Sequence, residues 1–163
     1  MPVNKIISVK KAEAIIKSYK KSRTVVTVVG GCFDILHPGH IKFIRSAEKL
    51  GGRVFILLEP DEKVRLLKGE LRPVFSQKER AEMLASLTSV AFIVMLPLIE
   101  SDAGYDELIR RLEPDVIAAT DNDPLLDLKK SQAEKSGGQL KVLPFNKSLS
   151  SSRIADLLKK EHL

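Results

Sequence analysis

The chain has 163 residues, 27 basic against 21 acidic for a net charge of +6, and 44% hydrophobic residues, which suits one compact domain with a real core. Its single cysteine, Cys32, excludes an internal disulfide framework and argues against a thiolate metal cluster. With 5% aromatics and no tryptophan, the basic balance fits phosphorylated small molecules better than nucleic acid, and no run approaches the roughly 18 to 20 apolar residues of a membrane-spanning helix.

In chain order, Ser8 to Lys20 places Ala12, Ile15, Ile16 and Tyr19 at helical spacing with a basic outer face, a helical extension over residues 1–22. This segment has no apolar leader core, so the expected location is cytoplasmic. Thr24 to Val29 is an apolar, β-branched run that ends at Gly30-Gly31 and reads as a buried strand. Pro38 suits the first turn of a helix that carries Ile41, Ile44 and Ala47 and stops at Gly51-Gly52.

Val54 to Leu58 is a second strand, followed by a charged loop from Glu59 to Pro73. Ser76-Gln-Lys-Glu79 is a capping box that opens a helix with Ala81, Met83, Leu84 and Leu87. Strands are then predicted over Val90 to Leu96, Asp115 to Ala119 and Leu140 to Leu143. Helices are predicted over Tyr105 to Leu112, Leu125 to Lys135 and Ser150 to Lys160.

Apolar strands alternating with helices predict an α/β class: a single Rossmann-like domain over residues 1–163, with a five-stranded parallel sheet and helices on both faces. In such sheets ligands bind outside the carboxyl ends of the strands, where strand order reverses. The loop after the first predicted strand, Gly30-Gly-Cys-Phe-Asp-Ile-Leu-His-Pro-Gly-His40, is therefore the place to look for chemistry.

There the glycines let the backbone approach a ligand closely. His37 and His40 are three apart at a helix start, where backbone N–H groups and the helix dipole favour phosphate. Two imidazoles in that position can donate to a phosphate whose charge rises in a transition state, and Gly39 between them leaves room. A metal pair is the competing reading, but no acidic or cysteine partner stands at ligand spacing, so no protein-held metal is expected. A purely structural cap is another. Near the C-terminus, Ser148-Leu-Ser-Ser-Ser-Arg-Ile154 opens the last helix. One serine suffices for an N-cap, whereas hydroxyls, helix N–H groups and a guanidinium together make a second phosphate site.

The stretch GGCFDILHPGH resembles the signature of the HxGH-type nucleotidyltransferase superfamily, which includes cytidylyltransferases and adenylyltransferases. The resemblance runs from about residue 5 to residue 160. It implies nucleotide contacts from Gly30, Gly31, Cys32, Phe33, Asp34 and Gly39, and catalytic roles for His37 and His40. By the same resemblance Ser150, Ser151, Ser152 and Arg153 hold the triphosphate tail, Lys68 reaches the reacting phosphates, and Arg72 and Arg80 match basic substrate-binding positions. Family members usually have Gly-Asp-Asp or Gly-Gly-Asp after the fourth strand; here Thr120-Asp-Asn-Asp123 makes Asp121 the nearest match. Glu59-Pro60 replaces a small polar pair, and an acid there suits a sugar hydroxyl or Mg2+ rather than a phosphate.

The N-terminal helix, the Lys68-Gly-Glu-Leu-Arg-Pro-Val74 loop and Leu143-Pro-Phe145 resemble the adenylyltransferase domain of ADP-heptose synthases, whereas Cys32 to His40 is close to a stretch frequent in archaeal FAD synthetases. The resemblance implies ATP or CTP, with its Mg2+, as one substrate and a phosphorylated small molecule as the other. A sugar phosphate such as D-glycero-D-manno-heptose 1-phosphate ranks ahead of glycerol 3-phosphate and FMN. It also implies a homodimer. A non-catalytic nucleotide-binding module on the same fold remains a reading of another class.

Overall fold

The computed structural model describes residues 4–147 and 150–160; Ser148 and Leu149 of the serine motif lie outside them. The elements in order are β1 (Ile6–Ser8), α1 (Val9–Lys21), β2 (Val26–Gly31), α2 (Pro38–Glu48), β3 (Arg53–Leu58), α3 (Asp61–Lys68) and α4 (Gln77–Ala85). They continue with β4 (Phe92–Met95), α5 (Asp102–Leu112), β5 (Val116–Thr120), α6 (Leu126–Lys135), β6 (Gln139–Leu143) and α7 (Ser151–Lys160). All strand pairs are parallel, and the sheet order is β1-β4-β3-β2-β5-β6.

Six strands, not the five expected, make this sheet. The extra one is β1, whose Ile6 and Ile7 lie beside Ile93 and Val94 of β4. Three residues are too few for alternation to declare itself in the sequence. Ser8 serves twice: it ends the strand, and its side chain accepts from the Lys11 N–H at 3.3 Å to cap α1. With Ala12 and Ile16 buried, residues 6–21 are part of the sheet and its cover rather than an extension to it.

The central strands β2, β3 and β5 are largely apolar on both faces because both faces are covered. Val26, Val28, Phe55 and Leu57 join Ala12 and Ile16 of α1 and Leu108, Ile109 and Leu112 of α5 in one cluster. Val29, Val54, Ile56 and Leu58 join Ile44 and Ala47 of α2 and Ala81 and Leu84 of α4 in the other. Successive strand side chains point to opposite faces, so each run feeds both layers.

The segment read as a charged loop after β3 contains the helix α3. Only Val64 of its eight residues is buried, so no apolar stripe marks it in the sequence. Asp61 and Glu62 in its first turn and Arg65 and Lys68 in its last complement the helix dipole. Gly69, at φ 99°, ends it in a conformation that favours glycine. This helix delivers Lys68 towards the ends of β2 and α7.

Candidate active site

The chain runs from β2 outward through β3 to β4, then returns to lay β5 on the other side of β2. The switch point is thus the carboxyl end of β2, at Gly30-Gly31. Phe33, at φ 47°, folds its ring back over this turn. A Cβ on Gly31 would stand 2.8 Å from that ring, which is why glycine is needed there.

His37 is the N-cap of α2, and its Nδ1 accepts from the Gly39 N–H at 3.1 Å. That bond leaves the proton of the neutral imidazole on Nε2. Partial burial, and then the Lys68 charge, lower its pKa. His40 stacks on His37 with ring centroids 3.8 Å apart and packs against Phe33 at 5.0 Å. Burial, His37 and Lys68 together lower the His40 pKa to about 3, a backbone contact to Ile35 opposing them. Both rings are therefore neutral near pH 7 and can donate a hydrogen bond without bringing a charge of their own.

The low pKa of His40 has a consequence for acid stability. The unfolded chain takes up this proton near 6.5, the folded chain only near 3. Between those values the unfolded state binds more protons, so the stabilisation present above pH 6.5 is lost as pH falls towards 3. The limiting slope for one site is about 1.4 kcal/mol per pH unit. Thermal melts of the wild type are expected to fall more steeply from pH 6.5 to 4 than those of His40→Asn; parallel curves would contradict the assignment.

A cavity of about 320 Å3 opens over these rings. Its walls include Gly30 to Phe33, Lys68, Ala118 to Thr120, Phe145 and Ser150 to Ser152. Lys68 Nζ donates to Ser151 Oγ at 3.0 Å, and Arg72 Nη2 donates to the same oxygen at 3.2 Å. Ser150 Oγ accepts from the Arg153 N–H at 3.2 Å and so caps α7. Ser152 is exposed on the cavity wall. The two predicted phosphate-binding segments, distant in sequence, thus face one space.

Several sequence-based assignments need correction. Asp34, named as a nucleotide contact, is fully buried and does not reach the cavity. One of its oxygens accepts the N–H groups of Val74 and Phe75 at 2.8 and 3.2 Å, and the other pairs with Arg72 Nε. It positions the loop after α3 and aims Arg72 at Ser151. Arg80, taken as a substrate-binding position, is also fully buried. Its guanidinium donates to the carbonyls of Cys32 at 2.6 Å and Phe75 at 3.0 Å and to Asp61 at 2.7 Å, so it is a brace beneath the β2 turn. Arg153 is exposed and lines neither cavity of the site.

Asp121 is exposed and spends Oδ1 on the Phe145 N–H at 3.0 Å. Its neighbour Asp123 reaches the site instead, accepting from the Leu125 N–H at 2.8 Å and forming an ion pair with Lys129. The sequence reading missed this pair. An Asp and a Lys six apart across a loop and a helix start carry no local signature.

A second cavity, of about 510 Å3, lies on the α5 and α6 side of β2 and shares Gly30 to Cys32, Thr120, Asp123 and Lys129 with the first. Glu59 stands in its wall, and the Tyr105 hydroxyl donates to both carboxylate oxygens at 2.9 and 3.0 Å. Burial raises the Glu59 pKa, opposed by the Tyr105 bond and by Lys63. Among the described residues no group of three His, Cys, Asp or Glu side chains is placed to hold a metal ion, and no helix is long and apolar enough to cross a membrane.

Residues 28–157 match a family model described as cytidylyltransferase-like. A bifunctional protein HldE from Pasteurella multocida is 33% identical over 150 residues, covering 91% of this chain and 31% of that protein. Another, from Desulfatibacillum aliphaticivorans, is 30% identical over 151 residues, covering 92% and 30%. The chain thus spans about a third of the length of these relatives. A pantoate–beta-alanine ligase from Francisella tularensis shares the fold at a TM-score of 0.69 and 15% identity, over 94% of this chain and 73% of that one.

Proposed function

Because the chain belongs to the cytidylyltransferase-like family of nucleotidyltransferases, we propose that it transfers a nucleoside monophosphate from ATP or CTP to a phosphorylated small molecule and releases pyrophosphate. The observation that carries this reading is the pair of neutral, stacked imidazoles at the start of α2, facing Lys68 and the start of α7 across one cavity. A heptose-type sugar phosphate, such as D-glycero-D-manno-heptose 1-phosphate, is the first acceptor to test. The resemblance to the adenylyltransferase domain of ADP-heptose synthases and the HldE relatives support that choice. Glycerol 3-phosphate and FMN follow. A homodimer and a cytoplasmic location belong to the same reading.

In this mechanism an acceptor phosphate oxygen attacks the α-phosphorus. The bond from that phosphorus to the bridging oxygen of the β-phosphate breaks, and pyrophosphate leaves with its electron pair. Such a step needs positioning and charge neutralisation more than a covalent intermediate. His37 Nε2–H and His40 would donate to the α-phosphate as its charge shifts outward. Lys68 would neutralise charge between the two reactants. The N–H groups that open α7, with the Ser152 hydroxyl, would hold the β- and γ-phosphates. Mg2+ accompanies the triphosphate as part of the substrate.

The test is pyrophosphate release with Mg2+, either ATP or CTP, and each of the three acceptors. Release that requires one nucleotide and one acceptor is the expected result. Tight nucleotide binding with no release from any pair would favour the non-catalytic module.

A further inference from the structure

Resting on the transferase reading, we propose that the second cavity holds the body of the acceptor, and that Glu59 recognises vicinal hydroxyls on a phosphorylated polyol there. Glu59 follows directly on β3, and its N–H donates to the Gly31 carbonyl at 3.1 Å. That bond sets its carboxylate beside the strand end common to both cavities. A carboxylate offers about four lone-pair positions, and the Tyr105 hydroxyl has one proton to share between the two oxygens. Acceptor capacity is left over, and neighbouring hydroxyls are donors at the spacing of two carboxylate oxygens.

The nearest cation does not use that capacity. Lys63 donates to the Ile99 carbonyl at 3.0 Å and lies 5.1 Å over the Tyr105 ring. Asp123 and Lys129 neutralise one another. Glu59 and Asp102 then stand against Lys63 alone in the cavity wall, which makes this space a poor home for phosphate. The first cavity has the opposite character, with Lys68 beside two imidazoles. A phosphorylated polyol therefore divides between them: phosphate over Gly30 to Cys32, hydroxyls against Glu59, and C–H faces along Leu96, Ile109, Ile117 and Leu128. Burial of the Glu59 carboxylate raises the value of each donor that reaches it.

The test uses the intact chain with Glu59→Gln and Glu59→Ala. Glu59→Gln keeps the shape and an oxygen for Tyr105, so it guards against misfolding. Binding of heptose 1-phosphate, glycerol 3-phosphate and FMN is measured by calorimetry with a non-hydrolysable nucleotide already bound, and acceptor KM is measured where turnover occurs. The panel also separates the sources of the diol, in a sugar ring, a glycerol or a ribityl chain. Acceptor affinity is expected to fall about 10-fold or more in both variants, while nucleotide affinity stays within 2-fold. A deoxy analogue lacking one hydroxyl of the pair is expected to bind wild type about 10-fold more weakly than its parent, and both variants equally with it. Acceptor affinity unchanged in the variants, or no panel member bound by the wild type, would overturn the proposal. Acceptor binding that depends on Glu59 without pyrophosphate release would uphold this site and overturn the transferase reading instead.

Discussion

Replacing His40 by alanine is expected to lower kcat at least about 100-fold, the loss typical of removing one donor from a developing oxyanion. His40 lies deeper than His37, sandwiched between that ring and Phe33, so it is held in place before any ligand arrives. A pKa near 3 keeps it neutral in the free protein. A bound polyanion raises that pKa, and the interaction strengthens as charge accumulates on the α-phosphate. Ground-state nucleotide affinity should therefore change much less than kcat. Pyrophosphate release at saturating substrates, with a melting curve to show that the variant is folded, measures the effect. A kcat within a few-fold of wild type would remove His40 from the reaction.

The second large effect concerns stability. Asp34→Ala is expected to cost about 3–5 kcal/mol, the range for breaking one side of a buried ion pair. It would leave the Arg72 guanidinium, 7% exposed, without its carboxylate and the Val74 and Phe75 N–H groups without their acceptor. Each orphaned donor carries its own desolvation cost. Arg72 would also lose its aim at Ser151, so residual activity should fall with stability. Asp34→Asn, which retains one acceptor oxygen, should fall between the alanine variant and wild type. Denaturant midpoints compared at constant slope give the value, and a loss below about 1 kcal/mol would contradict the buried-pair account.

The parallel sheet was readable because its central strands are buried on both faces and so are nearly continuous apolar runs, as in Val54 to Leu58 and, but for the buried Thr27, in Val26 to Val29. β1 escaped because a three-residue edge strand has no period. α3 escaped because Val64 alone anchors it. The loop from Gly30 to His40 was readable for another reason: its glycines and histidines obey local rules of turn and cap. Arg80 and Asp34 were placed in the right region with the wrong task. Their burial is decided by partners up to 48 residues away, such as the Cys32 carbonyl and the Phe75 N–H, and no spacing in the chain announces it. The same holds for Asp123 and Lys129, whose importance arises only where two cavities meet.

Those two cavities flank a single strand end, with the Gly30 to Cys32 backbone as a common floor. Two substrates seated on opposite sides of that floor are present together, so on the proposed reading neither has to leave before the other enters. The expected steady-state pattern is intersecting initial-velocity lines rather than the parallel lines of a ping-pong enzyme. One in-line displacement follows from the same arrangement. A substrate made chiral at the α-phosphorus with sulfur would then emerge with its configuration inverted, the handedness of the product recording that the phosphorus changed partners once.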